Sequence, residues 1–521
     1  MKVLKFAALF MVSAVLLTAC GSKKSSSTTG WNYNDSEWGG FEVSDNNVMP
    51  DFHPGLIFIE GGAYTMGRVS DDPRYQWSNI THTVTVSSFY LDETEVSNVA
   101  YREFVYWMQR AYGDEYPEKV AEIYPDTNAW RDKLAWREGF VDFYFQSPVY
   151  DEYPVVGVSW EQASQYCIWR TDRVNEKILV DAGVIALDQT ELRAETAFRT
   201  DVYLAGRFTG ETKEGLTDYN PSAGGESRAV RRTDGILVPY YRLPTEAEWE
   251  FAALGMIGNT YDERIVEHKK YPWAGQSVRS ANPNYYGQFL ANFKRSRGDA
   301  MGVAGSLNDG WDYTAPVKWY FPNDYGLYHM AGNVSEWCMD VYRKDPNPIG
   351  GEDMNPFRGN LYKTPNIVDE EIEIDEVTGG IVYKDVDESM VRRNYRQADN
   401  VNYLDGDYTS NIYDYQTNSA LDTWVSSGGE EDEYSDESAS SANLTNQDSV
   451  TNMMYRRDVK SADVVSLVNN KVRVVKGGSW KDRAYWMQAS TRRFYDQDRS
   501  TSWIGFRCAM DHLGTRSQQS R

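Results

Sequence analysis

Cysteine, histidine, basic charge and long apolar runs are all scarce in this chain. Of its 521 residues only 4 are cysteine and 5 histidine. The histidines, His53, His82, His268, His329 and His512, are scattered, with no helical or hairpin spacing that would bring them to one metal. A zinc or haem pattern is therefore excluded. Lys and Arg number 53 against 77 Asp and Glu, a formal charge of −24. So acidic a body argues against nucleic acid and against anionic lipid surfaces as partners. The most apolar stretch, Phe6 to Leu17, reaches about 18 Å as a helix, too short for a hydrocarbon core of about 30 Å. No internal repeat points to a solenoid or propeller. Aromatic residues, by contrast, are plentiful: 37 Tyr, 19 Phe and 17 Trp. That content excludes general disorder, and the length allows one large elaborated domain or two to three ordinary ones.

The first twenty residues carry the clearest signal. Lys2 and Lys5 precede the apolar stretch, and small residues follow it up to Cys20, which is a signal-peptide pattern. The tetrad Leu17-Thr18-Ala19-Cys20 resembles the lipobox of bacterial lipoproteins, in which cleavage leaves a lipid-modified cysteine as the first residue. Gly21 to Gly30, made of Gly, Ser, Lys and Thr, then reads as a solvated tether. Several acyl chains on Cys20 give stable anchoring where one chain is marginal. The absence of Asp after the cysteine, where Gly21 stands, points to the outer membrane. Three further cysteines remain, Cys167, Cys338 and Cys508, so at most one internal bridge can form.

Beyond the tether, Leu56 to Met66 reads as two short strands about a Gly61-Gly62 turn, and Thr83 to Val86 alternates as a half-exposed strand does. Ser97 caps a helix whose Tyr101, Phe104, Val105 and Met108 form one apolar face. Ser159 with Gln162, and Thr245 with Glu248, have the spacing of capping boxes at the starts of two more helices. The first buries Ala163, Tyr166 and Cys167, and the second has an inner stripe of Trp249, Ala252 and Ala253. From Tyr313 onward, Gly, Trp and short apolar pairs suggest short strands and ordered loops, giving a mixed α+β fold with much coil. Two acidic runs differ: Asp369 to Glu376 alternates with Ile372 and Ile374 as a strand does, whereas Glu430 to Glu437 reads as a mobile loop.

Three blocks, RLPTEAEWEFAA (Arg242 to Ala253), GLYHMAGNVSEW (Gly326 to Trp337) and VKGGSW with GFRC (Val475 to Trp480, Gly505 to Cys508), resemble the formylglycine-generating-enzyme, or sulfatase-modifying-factor, family. IEGGAYTMG, DETEVSN and VGVSWEQASQYC support it, in the same order, from Ile59, Asp92 and Val156. The resemblance implies a formylglycine-generating-enzyme-like, C-type-lectin-like fold with short strands, few helices, much ordered coil and two large insertions. On this basis residues 1–19 are signal peptide and 20–52 the lipidated cysteine and flexible tether. Residues 53–171, 240–344 and 472–512 are three parts of one domain, 172–239 and acidic 345–471 its insertions, and 513–521 a tail.

Enzymes of this family hold copper on two cysteine thiolates between the GGS and GFR blocks, because soft Cu(I) selects sulfur. Here the segment from Trp480 to Arg507 has no cysteine, and Ala484 and Ala489 stand about where the pair belongs. The resemblance thus implies a protein without the family's catalytic centre and without a catalytic cofactor. Arg492, Arg493, Asp496 and Arg507 could line a polar pocket in the same cleft; the plainer reading is structural salt bridging. Family pairing implies a Cys167–Cys508 disulfide. It also implies a structural calcium held by Asn292, the carbonyl of Phe293, Asp309 and the carbonyl of Trp311, a hard oxygen set suited to Ca²⁺. A second family calcium site would use Glu336, but His329 stands where an oxygen ligand is usual. The lipobox, the GWNYND near Gly30, the RTDRVNE at Arg170 and the insertions are similar to the lipoproteins of type IX secretion and gliding motility in Bacteroidetes. That implies a scaffold on the periplasmic face of the outer membrane, with other lipoproteins and periplasmic ring subunits as partners. The alternative is a lectin-like ligand binder using the old cleft.

Overall fold

The computed structural model describes residues 25–43, 53–67, 79, 81–132, 136–186, 192–213, 215–223, 227–266, 269–295, 310–342, 363–368, 371–375, 379–385 and 471–513. Cys20, Asp309 and the acidic run 430–437 lie outside them. The chain forms two compact units, one holding Pro54–Thr171 and Pro239–His512, the other Met1–His53, Asp172–Val238 and Leu513–Arg521. Among the described residues no helix is long and apolar enough to cross a membrane.

In the larger unit the strands are β1 (Leu56–Ile59), β2 (Gly62–Met66), β3 (His82–Val86), β4 (Phe89–Asp92), β5 (Tyr241–Arg242), β6 (Ser335–Val341), β7 (Val472–Lys476), β8 (Arg493–Asp496), β9 (Ile504–Gly505) and β10 (Ala509–Asp511). One sheet has the order β1-β4-β10-β5, with neighbours antiparallel. A second has the order β8-β7-β6-β9, in which only β9 runs parallel to its neighbour. β2 and β3 pair separately, and β3 alternates in burial as its sequence suggests. β1 and β2 both form, but they do not pair with each other across Gly61-Gly62 as a hairpin; each joins a different partner. Gly61 is needed for another reason, because a Cβ there would lie 2.3 Å from the Val86 carbonyl.

Three helices of this unit begin where their caps predict. α1 (Asn98–Tyr112) has Ser97 as its N-cap, accepting from Ala100 N. α2 (Pro117–Ile123) and α3 (Glu138–Phe143) are short. α4 (Trp160–Asp181) opens with the reciprocal Ser159–Gln162 hydrogen bonds and buries Ala163, Tyr166 and Cys167. The boundary between the two units falls within α4.

In the smaller unit, α5 (Thr200–Leu204) and the strand pair Leu216–Thr217 with Ser227–Arg228 surround a core of Leu179, Ile185, Phe198, Tyr203 and Val230. Part of the stretch expected as tether is ordered here. The Trp31 and Trp38 rings meet edge to face, Glu42 accepts from Tyr219 N and pairs with Arg228, and a Cβ on Gly40 would strike the Tyr219 carbonyl. The ordered part includes Ser25 to Gly30, where Ser25 bridges Asn32 and Ser26 N donates to the Trp31 carbonyl, and the rings of Trp31 to Phe41 add apolar contact that a solvated tether lacks.

Two more helices, α6 (Glu246–Leu254) and α7 (Tyr261–Val266), complete the larger unit. All nine residues of α6 are buried, so the expected inner stripe is a helix enclosed on every side. Its Trp249, Phe251 and Ala252 pack with Ile59, Tyr64, Leu91, Cys338 and Val474 in the main core. Glu371–Ile372 within the first acidic run is a strand paired with Ile367–Val368, and Ile374 bridges to Ile381.

Candidate functional site

The three motif blocks converge on α6. An isolated buried carboxylate is prohibitively costly, so each of the three glutamates of α6 needs a partner. Glu246 receives Arg492 Nε at 2.6 Å and Nη2 at 2.9 Å. Glu248 takes a two-pronged contact from Arg242, both bonds 2.7 Å, and also accepts from Thr245 N to close the capping box. Glu250 accepts from Lys476 Nζ and from Gly67 N, each at 2.8 Å. Burial alone would raise the Glu246 carboxyl, but the charges of Arg492 and Lys476 hold it below its ordinary range.

The same pattern extends to β6. Glu336 accepts from Arg507 Nη2 at 2.6 Å and Nε at 2.7 Å, and from Trp249 Nε1 at 2.7 Å, with both members of the ion pair fully buried. The Glu336 oxygens are thereby occupied. Arg507 also donates to the carbonyls of Tyr328 and Asp92. The arginines that could have lined a pocket are structural instead: Arg492 and Arg507 are buried in pairs, and Arg493 pairs with Asp482 while stacking on Trp486 and Trp503. Asp496 lies 3.9 Å from Arg499.

Among the described residues, Glu95 and Asp340 are buried acids without a paired cation. Glu95 accepts from Asn333 Nδ2 and Val334 N, and burial, reinforced by the Glu336 charge, pushes its carboxyl well up. Asp340 accepts from Glu246 N, and burial followed by the Glu246 charge does the same to it. Both favour the neutral acid, which suits hydrogen bonding within a core. Sequence reading missed them because Asn333 and Val334, which donate to Glu95, and Glu246, which donates to Asp340, lie far from them in the chain. His329, in a left-handed backbone conformation (φ 53°), is buried with Nε2 3.0 Å from the Pro316 carbonyl. Burial lowers its imidazole to about 3.

Cys167 and Cys508, implied as a disulfide, do meet: their sulfurs lie 3.5 Å apart, fully buried, as two thiols. Burial pushes the Cys508 thiol well up, as it does that of Cys338. Asp92 fixes this corner by accepting from Cys508 N and from Arg170. Ala484 opens a short 3₁₀ turn, Ala484–Met487, and Ala489 is buried in the main core. Of the calcium set, Asn292 is buried, and its amide nitrogen donates to the Tyr313 carbonyl at 2.6 Å and to Asn333 Oδ1 at 3.3 Å. That fixes the carboxamide and leaves Oδ1 as the hard oxygen it can offer, a fit with Ca²⁺ as far as the described residues reach. Among the described residues no three His, Cys, Asp or Glu side chains cluster as a metal site.

A polar cavity of about 400 Å³ lies elsewhere on this unit, lined by Glu122, Asp126, Ser159, Glu161 and Asp498 among others. No spacing rule could have revealed it, since its walls come from both ends of the chain. Its Glu161 accepts from Gln497, and its Asp126 from Ser500.

Residues 43–402 and 412–512 match the Sulfatase-modifying factor enzyme 1-like domain family. The chain belongs to this formylglycine-generating-enzyme family. Its relatives include both active and inactive proteins. The formylglycine-generating enzyme of Thermomonospora curvata is 38% identical over 104 residues, 20% of this chain and 28% of that enzyme. The mouse inactive C-alpha-formylglycine-generating enzyme 2 is 26% identical over 325 residues, 59% of this chain and 73% of that protein. The mouse formylglycine-generating enzyme is 25% identical over 306 residues, 55% of this chain and 58% of that enzyme. Among solved structures, PvdO from Pseudomonas aeruginosa matches with a TM-score of 0.38 and 14% identity, covering 88% of this chain and 94% of that one. Treponema denticola variable protein 1 matches with a TM-score of 0.34 and 16% identity, covering 87% and 94%. The chain thus spans well under half of the Thermomonospora enzyme and just over half of the mouse one, while it covers most of the inactive relative. The motif blocks read from the sequence form a buried ionic frame.

Proposed function

We propose that this protein is a non-catalytic lipoprotein of the type IX secretion and gliding machinery, acting as a scaffold at the periplasmic face of the outer membrane. The observation that carries the non-catalytic part is the state of the motif cluster. Glu246, Glu248, Glu250 and Glu336 are each held by a cation, and Trp480 to Arg507 supplies no thiol. Chemistry of the family's kind needs a pair of soft ligands in that segment. Copper binding by the purified chain would revive the enzymatic reading.

The lipobox ending at Cys20 and the aromatic-rich body behind it support anchoring with protein contacts as the working mode. By resemblance the chain is closer to gliding-motility lipoprotein J than to lipoprotein K, and its partners are other lipoproteins and periplasmic ring subunits of the same machine. Purification from membranes tests this directly. Stoichiometric secretion-system subunits are expected; a lone protein carrying a glycan would favour a lectin-like binder instead. We also propose a structural Ca²⁺ held by Asn292, the Phe293 carbonyl, Asp309 and the Trp311 carbonyl. Chelation by EGTA is then expected to lower the melting temperature of the purified chain, and an unchanged melting curve removes that site.

A further inference from the structure

Every large buried arginine of the motif cluster holds a carboxylate. Arg137 does not. Its side chain is 9% exposed, Nε has no hydrogen-bond partner, and the nearest carboxylate, that of Asp132, stands 4.0 Å away, beyond hydrogen-bond reach. Burying a guanidinium with Nε unsatisfied and its carboxylate only at 4.0 Å is costly. What holds it is aromatic: the guanidinium lies 4.8 Å from the centre of the Tyr313 ring and 5.4 Å from that of Trp480.

That cradle is fixed before any ligand arrives. Trp480 stacks on Trp130 and meets Tyr313 edge to face, and its indole nitrogen donates to the Ser502 carbonyl at 3.0 Å. The Arg137 carbonyl accepts from Phe140 N at 2.9 Å, tying its backbone to the start of α3. A planar fork of donors held beside two fixed rings matches a carboxylate bidentately. The same stretch of chain exposes large apolar groups: Trp136 is 89% exposed, Phe143 60% and Val149 75%. Arginine and tryptophan are the residues on which protein interfaces concentrate their binding energy. With acids exceeding bases by 24 over the whole chain, a cation with no hydrogen-bonded carboxylate among the described residues is a specific feature rather than part of a basic surface.

We infer that Arg137 is the anion-recognising centre of a docking surface whose occupant is an acidic side chain of a protein partner, flanked by apolar contact at Trp136 and Phe143. The inference rests on the protein-contact reading above and deepens it. Binding replaces water at the fork with a two-pronged carboxylate and involves no covalent step.

The test uses the full-length chain in the cells that produce it, with Trp136→p-benzoylphenylalanine as a photo-crosslinker and the adducts mapped by mass spectrometry. The expected adduct lies beside an Asp or Glu of the partner, and Arg137→Met lowers its yield about tenfold or more. Changing that partner acid to its amide lowers the yield equally and adds nothing to Arg137→Met, as a double-mutant cycle requires of a direct pair. Arg137→Lys, which keeps the charge in the cradle but loses the fork, serves if Arg137→Met does not accumulate, and is also expected to lower the yield. An adduct indifferent to both variants, or one in a peptide without an acid, overturns the inference. So does saturable binding of sodium acetate at millimolar concentration to the purified chain that abolishes the adduct, since the site would then serve a free carboxylate. An Arg137-dependent partner unrelated to secretion would leave this surface standing and sink the secretion reading. Secretion subunits cross-linked without dependence on Arg137 would do the reverse.

Discussion

Single residues of this protein set opposite responses to pH. His329 is buried and neutral, its imidazole lowered to about 3 from an ordinary 6.5. A group depressed on folding gives stability that is present above its unfolded value and lost as pH falls toward the folded one. His329→Asn, which tolerates the left-handed backbone, is therefore expected to lose less stability than the parent between about pH 6.5 and 3, measured as melting temperature against pH. Asp172 behaves in the other sense. Burial raises its carboxyl to about 6 from an ordinary 3.8, although Thr200 N donates to it. Its contribution is present below the unfolded value and lost as pH rises through about 6. Asp172→Asn keeps the acceptor and removes the charge, so it should gain on the parent by about 3 kcal/mol between pH 4 and 7. The facing thiols of Cys167 and Cys508 give a third outcome. Non-reducing peptide mapping of the protein from its own compartment is expected to find them joined, and Cys508→Ala to cost about 2–4 kcal/mol. The pair was legible only through the family, since nothing local in the sequence links residues 341 apart.

At the scale of elements, what could be read in advance was what is local. Ser97, Ser159 with Gln162, and Thr245 with Glu248 announce helix starts because a cap is an interaction across three residues, and all three form. Strand pairing was not legible, because β1 and β2 are adjacent in sequence yet take partners from separate sheets. The nature of α6 was likewise hidden. The sequence reading named only the stripe of Trp249, Ala252 and Ala253, and burial of the three glutamates depends on Arg242, six residues before Glu248, and on Lys476 and Arg492 from distant segments. Removing one member of such a pair leaves an uncompensated charge. Glu246→Gln is accordingly expected to destabilise the protein by about 3–5 kcal/mol in denaturant unfolding. Asp340→Asn, beside it on β6, should cost far less and should turn stabilising as pH rises, because the Asp340 carboxyl is already biased toward its neutral form. Equal losses from the two changes would contradict the assignment of charge at this site.

At the scale of the whole molecule, the family blocks are present in order but serve as a frame. The carboxylates and arginines that recur in those blocks pair with one another in the interior, and the segment that would carry two thiolates ends in packed alanine and tryptophan. The family was legible because its blocks are contiguous words in the sequence. The Arg137 cradle and the polar cavity were not, because each gathers residues from segments far apart in the chain. On the proposed reading, a family body whose motif charges pair in its interior, behind a lipobox, is suited to being held in place for assembly. The central claim is that anchoring at Cys20 places a scaffold in the secretion machine. It is tested most directly by measuring surface display of type IX cargo in cells carrying Cys20→Ala at matched protein level. The account predicts that display collapses although the folded body is still made; cargo display equal to that of the parent would contradict it.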